Sequence, residues 1–299
     1  MSTKLNTLNK LFILIAGCYF STILYAQDSK WSVQAGAGIS SQDMNWSIAG
    51  NEQGTNPNIL SELKWDKLRA VAYNLQVDYK ISQKFGLTFI GAYHDITKGS
   101  GNDSDYGQDN RGGRFGNQDF SSNKGNIYNL QLKVNYKLPD LGPVTPKLAV
   151  GFEQLGQKLY MTDLPNENNG LRSTYQTQWN GGTIGLILHF PVQSFYIDGY
   201  YDFGIYAYNA KANWNLRETL QHPVSFRQQA TGFKHFGKIQ VGYKLCERLD
   251  IGLSLSKYYS FTNEGKDKLY LQSGEIKRSQ FNGVEFSQLA GLLNIKYEW

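Results

Sequence analysis

Val71-Ala-Tyr-Asn-Leu-Gln-Val-Asp-Tyr-Lys-Ile81 alternates without a break. Val71, Tyr73, Leu75, Val77, Tyr79 and Ile81 are apolar, and the residues between them, Ala72, Asn74, Gln76, Asp78 and Lys80, are small or polar. A period of two sends the two sets to opposite faces of a β-strand. The pattern returns in Tyr128 to Leu138, Ile184 to Phe190, Phe195 to Ile205, Ile239 to Leu245, Leu249 to Leu255 and Leu289 to Trp299. A soluble sandwich turns such apolar faces inward. A transmembrane barrel turns them to lipid and keeps the polar faces in its lumen.

The spacing between strands decides for the barrel. Short turns at Ser82-Gln83, Pro139 to Pro143, Pro191 to Gln193 and Glu247-Arg248 alternate with long polar segments. Those segments run from Ile39 to Ser61, His94 to Asn126, around Pro165 to Gly170, Asn209 to Gly232 and Thr262 to Gly283. Outer-membrane barrels have this rhythm, with short periplasmic turns and long extracellular loops. The expectation is an all-β fold, a single antiparallel transmembrane barrel of about ten strands with both termini periplasmic. So narrow a barrel leaves little free lumen. Asp78, Lys80, Lys133, Asp198, Asp202, Lys244 and Lys296 face that interior and are expected to pair across it.

Composition and termini agree. Hydrophobic residues are 40% of the chain and aromatics 14%, which suits apolar atoms confined to alternate positions and aromatics gathered in interfacial girdles. Lys4 and Lys10 precede an apolar run from Leu11 to Tyr25 that ends at Ala26, the pattern of a secretory signal, so residues 1–26 are expected to be cleaved and 27–299 to form the barrel. Removing residues 1–26 takes two lysines and no acid from a formal charge of +5, leaving +3, which is no nucleic-acid footprint. Cys246 is then the one cysteine left, so no intramolecular disulfide can form. Leu289, Gly291, Leu293, Ile295, Tyr297 and Trp299 share one face, and the closing aromatic resembles the address read by the barrel assembly machinery of a Gram-negative outer membrane.

One segment carries candidate chemistry. Asp103 and Asp105, in Gly99-Ser-Gly-Asn-Asp-Ser-Asp-Tyr106, stand at i and i+2, so on an extended strand their carboxyls point the same way and raise one pKa. Such a pair can share a proton or polarise a water; with Asp109 and Gly107 the spacing also suits loose binding of a hard cation. His94 and His189 have no partners at metal-ligand spacing, and no cofactor is implied.

On Ser61-Glu-Leu-Lys-Trp65 and Gly99-x-x-x-Asp103-x-Asp105-Tyr106 the chain resembles the omptin family of outer-membrane proteases and the related Protochlamydia-type outer-membrane proteins. The resemblance implies a ten-stranded barrel, a requirement for lipopolysaccharide, and cleavage of peptides beside basic residues. It also implies a catalytic set in which the aspartate pair faces an Asp-x-His dyad in the fourth loop, whose histidine activates water. His222 occupies that loop, but Leu220 stands where the family has aspartate, and the alternative Glu218 is followed by Pro223, which favours an extended approach. Lys211, Arg217 and Arg227 also make this loop basic where the family's cleft is acidic. The expectation is a non-proteolytic omptin-like barrel acting through its loops or as a narrow pore, the alternative being an endopeptidase that uses Asp103, Asp105 and His222.

Overall fold

The computed structural model describes residues 30–167 and 169–299; the expected signal segment, residues 1–26, lies outside them. The described residues form β1 (Trp31–Ile48), β2 (Ser61–Lys80), β3 (Phe85–Gln108), β4 (Gly112–Ser121), β5 (Gly125–Lys137) and β6 (Thr145–Thr162). They continue with β7 (Arg172–Val192), β8 (Phe195–Asn213), β9 (Phe226–Cys246), β10 (Leu249–Thr262), β11 (Gly265–Tyr270) and β12 (Ile276–Glu298). All pairings are antiparallel, and β1 pairs with β12 to close the ring. Segments β4 and β5 both lie between β3 and β6, and β10 and β11 both lie between β9 and β12. The twelve segments therefore occupy ten positions around the barrel, as the alternation predicts.

The outer face is apolar. Tyr73, Leu75, Leu132, Val150, Ile184, Ile197, Ile239, Leu253 and Leu293 are all exposed, a continuous band far larger than the patches a soluble monomer shows. On β9 the outward positions stay apolar or aromatic for much of Phe233 to Leu245, a height of about 30 Å for a strand tilted by ~40°, close to a bilayer core. Aromatic girdles bound the band. Trp31 packs on Tyr79 (4.4 Å), Phe195 on Tyr243 (4.8 Å) and Phe85 on Tyr136 (5.0 Å) at the short-turn end. Phe233 packs on Phe261 (5.5 Å) and Phe203 (6.5 Å) at the other.

Two features depart from the expectations. Much of the polar stretches His94 to Asn126, Asn209 to Gly232 and Thr262 to Gly283 is strand, not loop: β3 continues to Gln108, β4 starts at Gly112, and β9 reaches up to Phe226. Above the band the outer face meets water and the inner face meets protein instead of lipid, so pairing continues there with the apolar positions turned inward. The second departure is the nature of the plug. Met44, Trp46, Leu63, Trp65, Phe120, Tyr175, Trp179, Tyr208, Phe226 and Phe281 point inward and form one buried apolar cluster in the loop-end half of the barrel. Tyr175 lies stacked between Trp46 (5.6 Å) and Trp65 (5.4 Å), and Tyr208 stacks on Phe281 (5.8 Å). The stopper is aromatic.

Below it the lumen is polar. Glu153 and Lys234, both fully buried, form an ion pair under the plug, and Asn129, Tyr206 and Tyr258 also donate to the Glu153 carboxylate (2.5, 2.7 and 3.2 Å). These bonds satisfy a charge that would be costly to bury alone. Lys133 pairs with Asp202, and Asp198 takes a hydrogen bond from His189 (2.6 Å). Lys296 pairs with Glu298, beside it, and not across the lumen. Toward the short turns lies a cavity of about 610 Å³ whose lining includes Gln34, Asp78, Lys133, Lys238, Asp250 and Asn294.

Candidate functional site

The aspartate pair sits on the part of β3 that rises above the apolar band, ten residues or more beyond outward-facing Tyr93. Its backbone is held between β2 and β4: Asp103 lies opposite Leu63 and Gln118, and Asp105 opposite Ser61 and Gly116. The glycines before the pair are required by space. A Cβ on Gly101 would fall 2.2 Å from the Phe120 ring and 2.3 Å from the Lys64 carbonyl oxygen, and one on Gly99 would fall 2.3 Å from Leu68.

Each residue of Ser61 to Trp65 has a place in this wall. Ser61 donates to Asp103 (3.5 Å), and Leu63 and Trp65 are fully buried in the aromatic cluster. Glu62 receives Arg111 at two oxygens (2.7 and 3.1 Å) and Lys64 at 3.2 Å, tying the β3–β4 turn to β2. The Arg111 guanidinium is the chief reason that the Glu62 carboxyl titrates below its usual range.

Burial, and then the Asp105 charge beside it, push the Asp103 carboxyl up to about 7, although Arg217 and bonds from Ser61 and Trp214 oppose the rise. Near neutral pH it therefore carries a proton much of the time. Asp105 is more open and lies 3.9 Å from the Arg217 guanidinium. Trp214 and Arg217 both come from the segment 214–225 between β8 and β9, so this segment covers the pair from the opposite side. Trp214 is anchored by Phe226, 4.8 Å away, and its backbone N–H donates to Ser225 (2.9 Å).

The structure puts His222 in the same segment, but exposed and bonded through Nδ1 to Asn213 (2.6 Å). Leu220 is buried and forms an isolated bridge with Leu271, so its position is part of the packing between this segment and the β11–β12 hairpin. Asp109 accepts from the Asn58 N–H (2.7 Å) in a loop-to-turn contact. Among the described residues no three His, Cys, Asp or Glu side chains gather where a metal could be held. Sequence reading missed Trp214 as a partner of the pair. An isolated Trp in a polar segment was the available signal.

A closed ring of antiparallel strands with a lipid-sized apolar band and a plugged, polar-based lumen defines an outer-membrane β-barrel. The model of the Protochlamydia outer membrane protein family matches residues 34–298, and the chain belongs to that family. No curated protein matches. Among solved structures, the outer membrane protease OmpT from Escherichia coli is similar over 93% of this chain and 99% of its own, at 13% identity and a TM-score of 0.76. OprG from Pseudomonas aeruginosa and the neisserial surface protein NspA cover 91% and 90% of the chain, at 11% and 8% identity and TM-scores of 0.36 and 0.33. The likeness to OmpT is one of fold.

Proposed function

We propose that this protein is a non-proteolytic surface barrel, closed in its resting state, that stands with short turns and both termini in the periplasm and works through its outward rim. The observation that carries the reading is the cover over the aspartate pair: Arg217 lies against Asp105, Trp214 donates to Asp103, and His222 is turned to Asn213. Water attack on a peptide needs a positioned base, which typically contributes about 10²–10⁴-fold, and room for the scissile bond beside it. Here the carboxylates are occupied and the histidine has no carboxylate to orient it. Lipopolysaccharide around the apolar band and the assembly machinery at Trp299 are the partners this reading supplies.

The test is cleavage of peptides with paired basic residues by protein refolded with lipopolysaccharide. No cleavage above buffer is expected. Cleavage that Asp105→Asn and His222→Ala both abolish would overturn the proposal and make the endopeptidase reading correct.

A further inference from the structure

Four cations stand side by side on the outer wall, well above the membrane. Lys211 on β8 is paired with Arg227 on β9, Arg227 with Lys268 on β11, and Lys268 with Arg278 on β12. Arg227 shares its face with Gln229 and, lower on the strand, with Phe233 and Ile239, the outward set, while Phe226 and Gln228 between them are buried. Lys266, opposite Gln229, adds a fifth cation directly below. Arg227, Gln229, Lys266, Lys268 and Tyr270 enclose a depression of about 90 Å³, lined by side chains that can all donate hydrogen bonds.

Among the described residues none of these five cations has a carboxylate in ion-pair range; the acids on adjoining segments, Glu52, Glu218, Glu264 and Glu275, are not paired with them either, although Glu264 stands two residues before Lys266. Other cations at this end are paired, Arg111 and Lys64 with Glu62 and Arg217 with Asp105. Like charges placed opposite one another on neighbouring strands are destabilising, so the row is a cost to the fold that an anion would relieve.

Height separates the kinds of anion. Arg227 lies six residues beyond Phe233 on β9, which at ~3.3 Å per residue and ~40° tilt places the row about 15 Å above the upper girdle. A phospholipid headgroup layer adds only about 5–7 Å to each side of the hydrocarbon core, so glycerophospholipid phosphates do not reach the row, and an anion that does is carried on a saccharide or polypeptide. At ~4.8 Å between strands the four cations extend over about 14 Å in a line. Asn209, Gln229 and Gln280 lie on the next level down, and of the large apolar side chains on these strands at this height Ile276 is the exposed one. A protein partner needs an apolar centre, which the row does not offer.

We propose that this row binds an acidic polysaccharide, its sulfate or carboxylate groups taken by Lys211, Arg227, Lys268 and Arg278 and its hydroxyls by the flanking amides and Tyr270. The proposal names a partner for the surface role above and rests on the outward orientation of this end. Binding in detergent is measured without reference to orientation, so the two can fail separately.

The experiment titrates a heparin oligosaccharide into the folded full barrel in detergent at low and at physiological salt. Arg227→Gln/Lys268→Gln is compared with Lys98→Gln/Lys124→Gln, which removes two exposed cations from β3 and the β4–β5 break; heat-resistant migration confirms that each variant is folded. Salt-sensitive binding that the first pair weakens by about ten-fold and the control pair leaves within about two-fold is expected, as for two charge-assisted surface contacts. Absence of binding, or equal loss in both pairs, would overturn the proposal. So would a polyglutamate peptide that binds as tightly as the oligosaccharide with the same sensitivity, because the row would then read acidic polypeptide.

Discussion

Replacing Asp103 by asparagine isolates the most perturbed group of the candidate site. In the folded protein its carboxyl titrates near 7 against an ordinary 3.8, so the folded chain holds this proton at pH values where the unfolded chain has lost it. Stability from this group is therefore fully present below about 3.8, falls as pH rises between the two values, and is lowest above about 7. A rise of about three units corresponds to about 4 kcal/mol, an upper bound because Arg217 and local opening share the charge with solvent. The asparagine side chain keeps an acceptor for Ser61 or Trp214 and carries no charge. Asp103→Asn is expected to match the parent within about 1 kcal/mol at about pH 3.5, below the ordinary carboxyl value, and to be about 2–4 kcal/mol more stable locally at pH 8. The assay is hydrogen–deuterium exchange of Gly101 to Asp105 amides, variant against parent at each pH. That comparison cancels intrinsic exchange rates, and it cancels the similar contribution of buried Asp267, whose carboxyl burial also raises to about 7. Slowing by about thirty- to a thousand-fold at pH 8 alone is expected. Equal protection at both pH values, or a less protected variant at pH 8, would refute the assignment of a buried, proton-holding carboxyl at this position.

Two further outcomes test orientation and closure of the ring. Cys246 is exposed beside the β9–β10 turn, so a membrane-impermeant maleimide added to intact cells should leave it unlabelled and should label Ser273→Cys in the β11–β12 turn; the reverse pattern would invert the barrel. Trp299 exchanges backbone hydrogen bonds with Trp31 across the β1–β12 seam (3.0 and 3.2 Å) and stacks near Tyr297, so its deletion should lower the amount of heat-resistant barrel in the outer membrane without blocking secretion. Normal levels of folded barrel would leave the terminal aromatic without a role in assembly.

The lipid-facing half of the fold was legible because lipid imposes one rule on every strand. Val71 to Ile81 and Phe195 to Ile205 keep their apolar residues at alternate positions, and those side chains are the outward ones. Beyond the band the rule changes, and the chain records the change as a shift of phase. In β1 the outward apolar residue is Ile39, at an odd position, whereas Met44 and Trp46, at even positions, are buried inside. In β7 inward Tyr175 and Trp179 precede outward Ile184 and Leu186, and in β8 outward Ile205 gives way to inward Tyr206 and Tyr208. Read as loop, these stretches hide the aromatic plug; read as a strand whose apolar phase has flipped, they announce it. The candidate site divides in the same way. Asp103 and Asp105 are two residues apart and their shared face could be seen, but Glu153 and Lys234 meet across 81 residues. The contacts of Trp214 and Arg217 with the aspartates likewise depend on how the segment 214–225 folds over the mouth, which no local spacing encodes.

The claim on which the rest depends is that stacked rings close the lumen at its loop end. Single-channel recording in planar bilayers tests it without any substrate. The unaltered barrel is expected to give no steady conductance, and Trp65→Ala/Tyr175→Ala, which empties the centre of the stack, is expected to add openings that connect the polar cavity to the outside. A large and stable conductance from the unaltered barrel would contradict the account and would mean that water, not the aromatic cluster, fills the upper lumen.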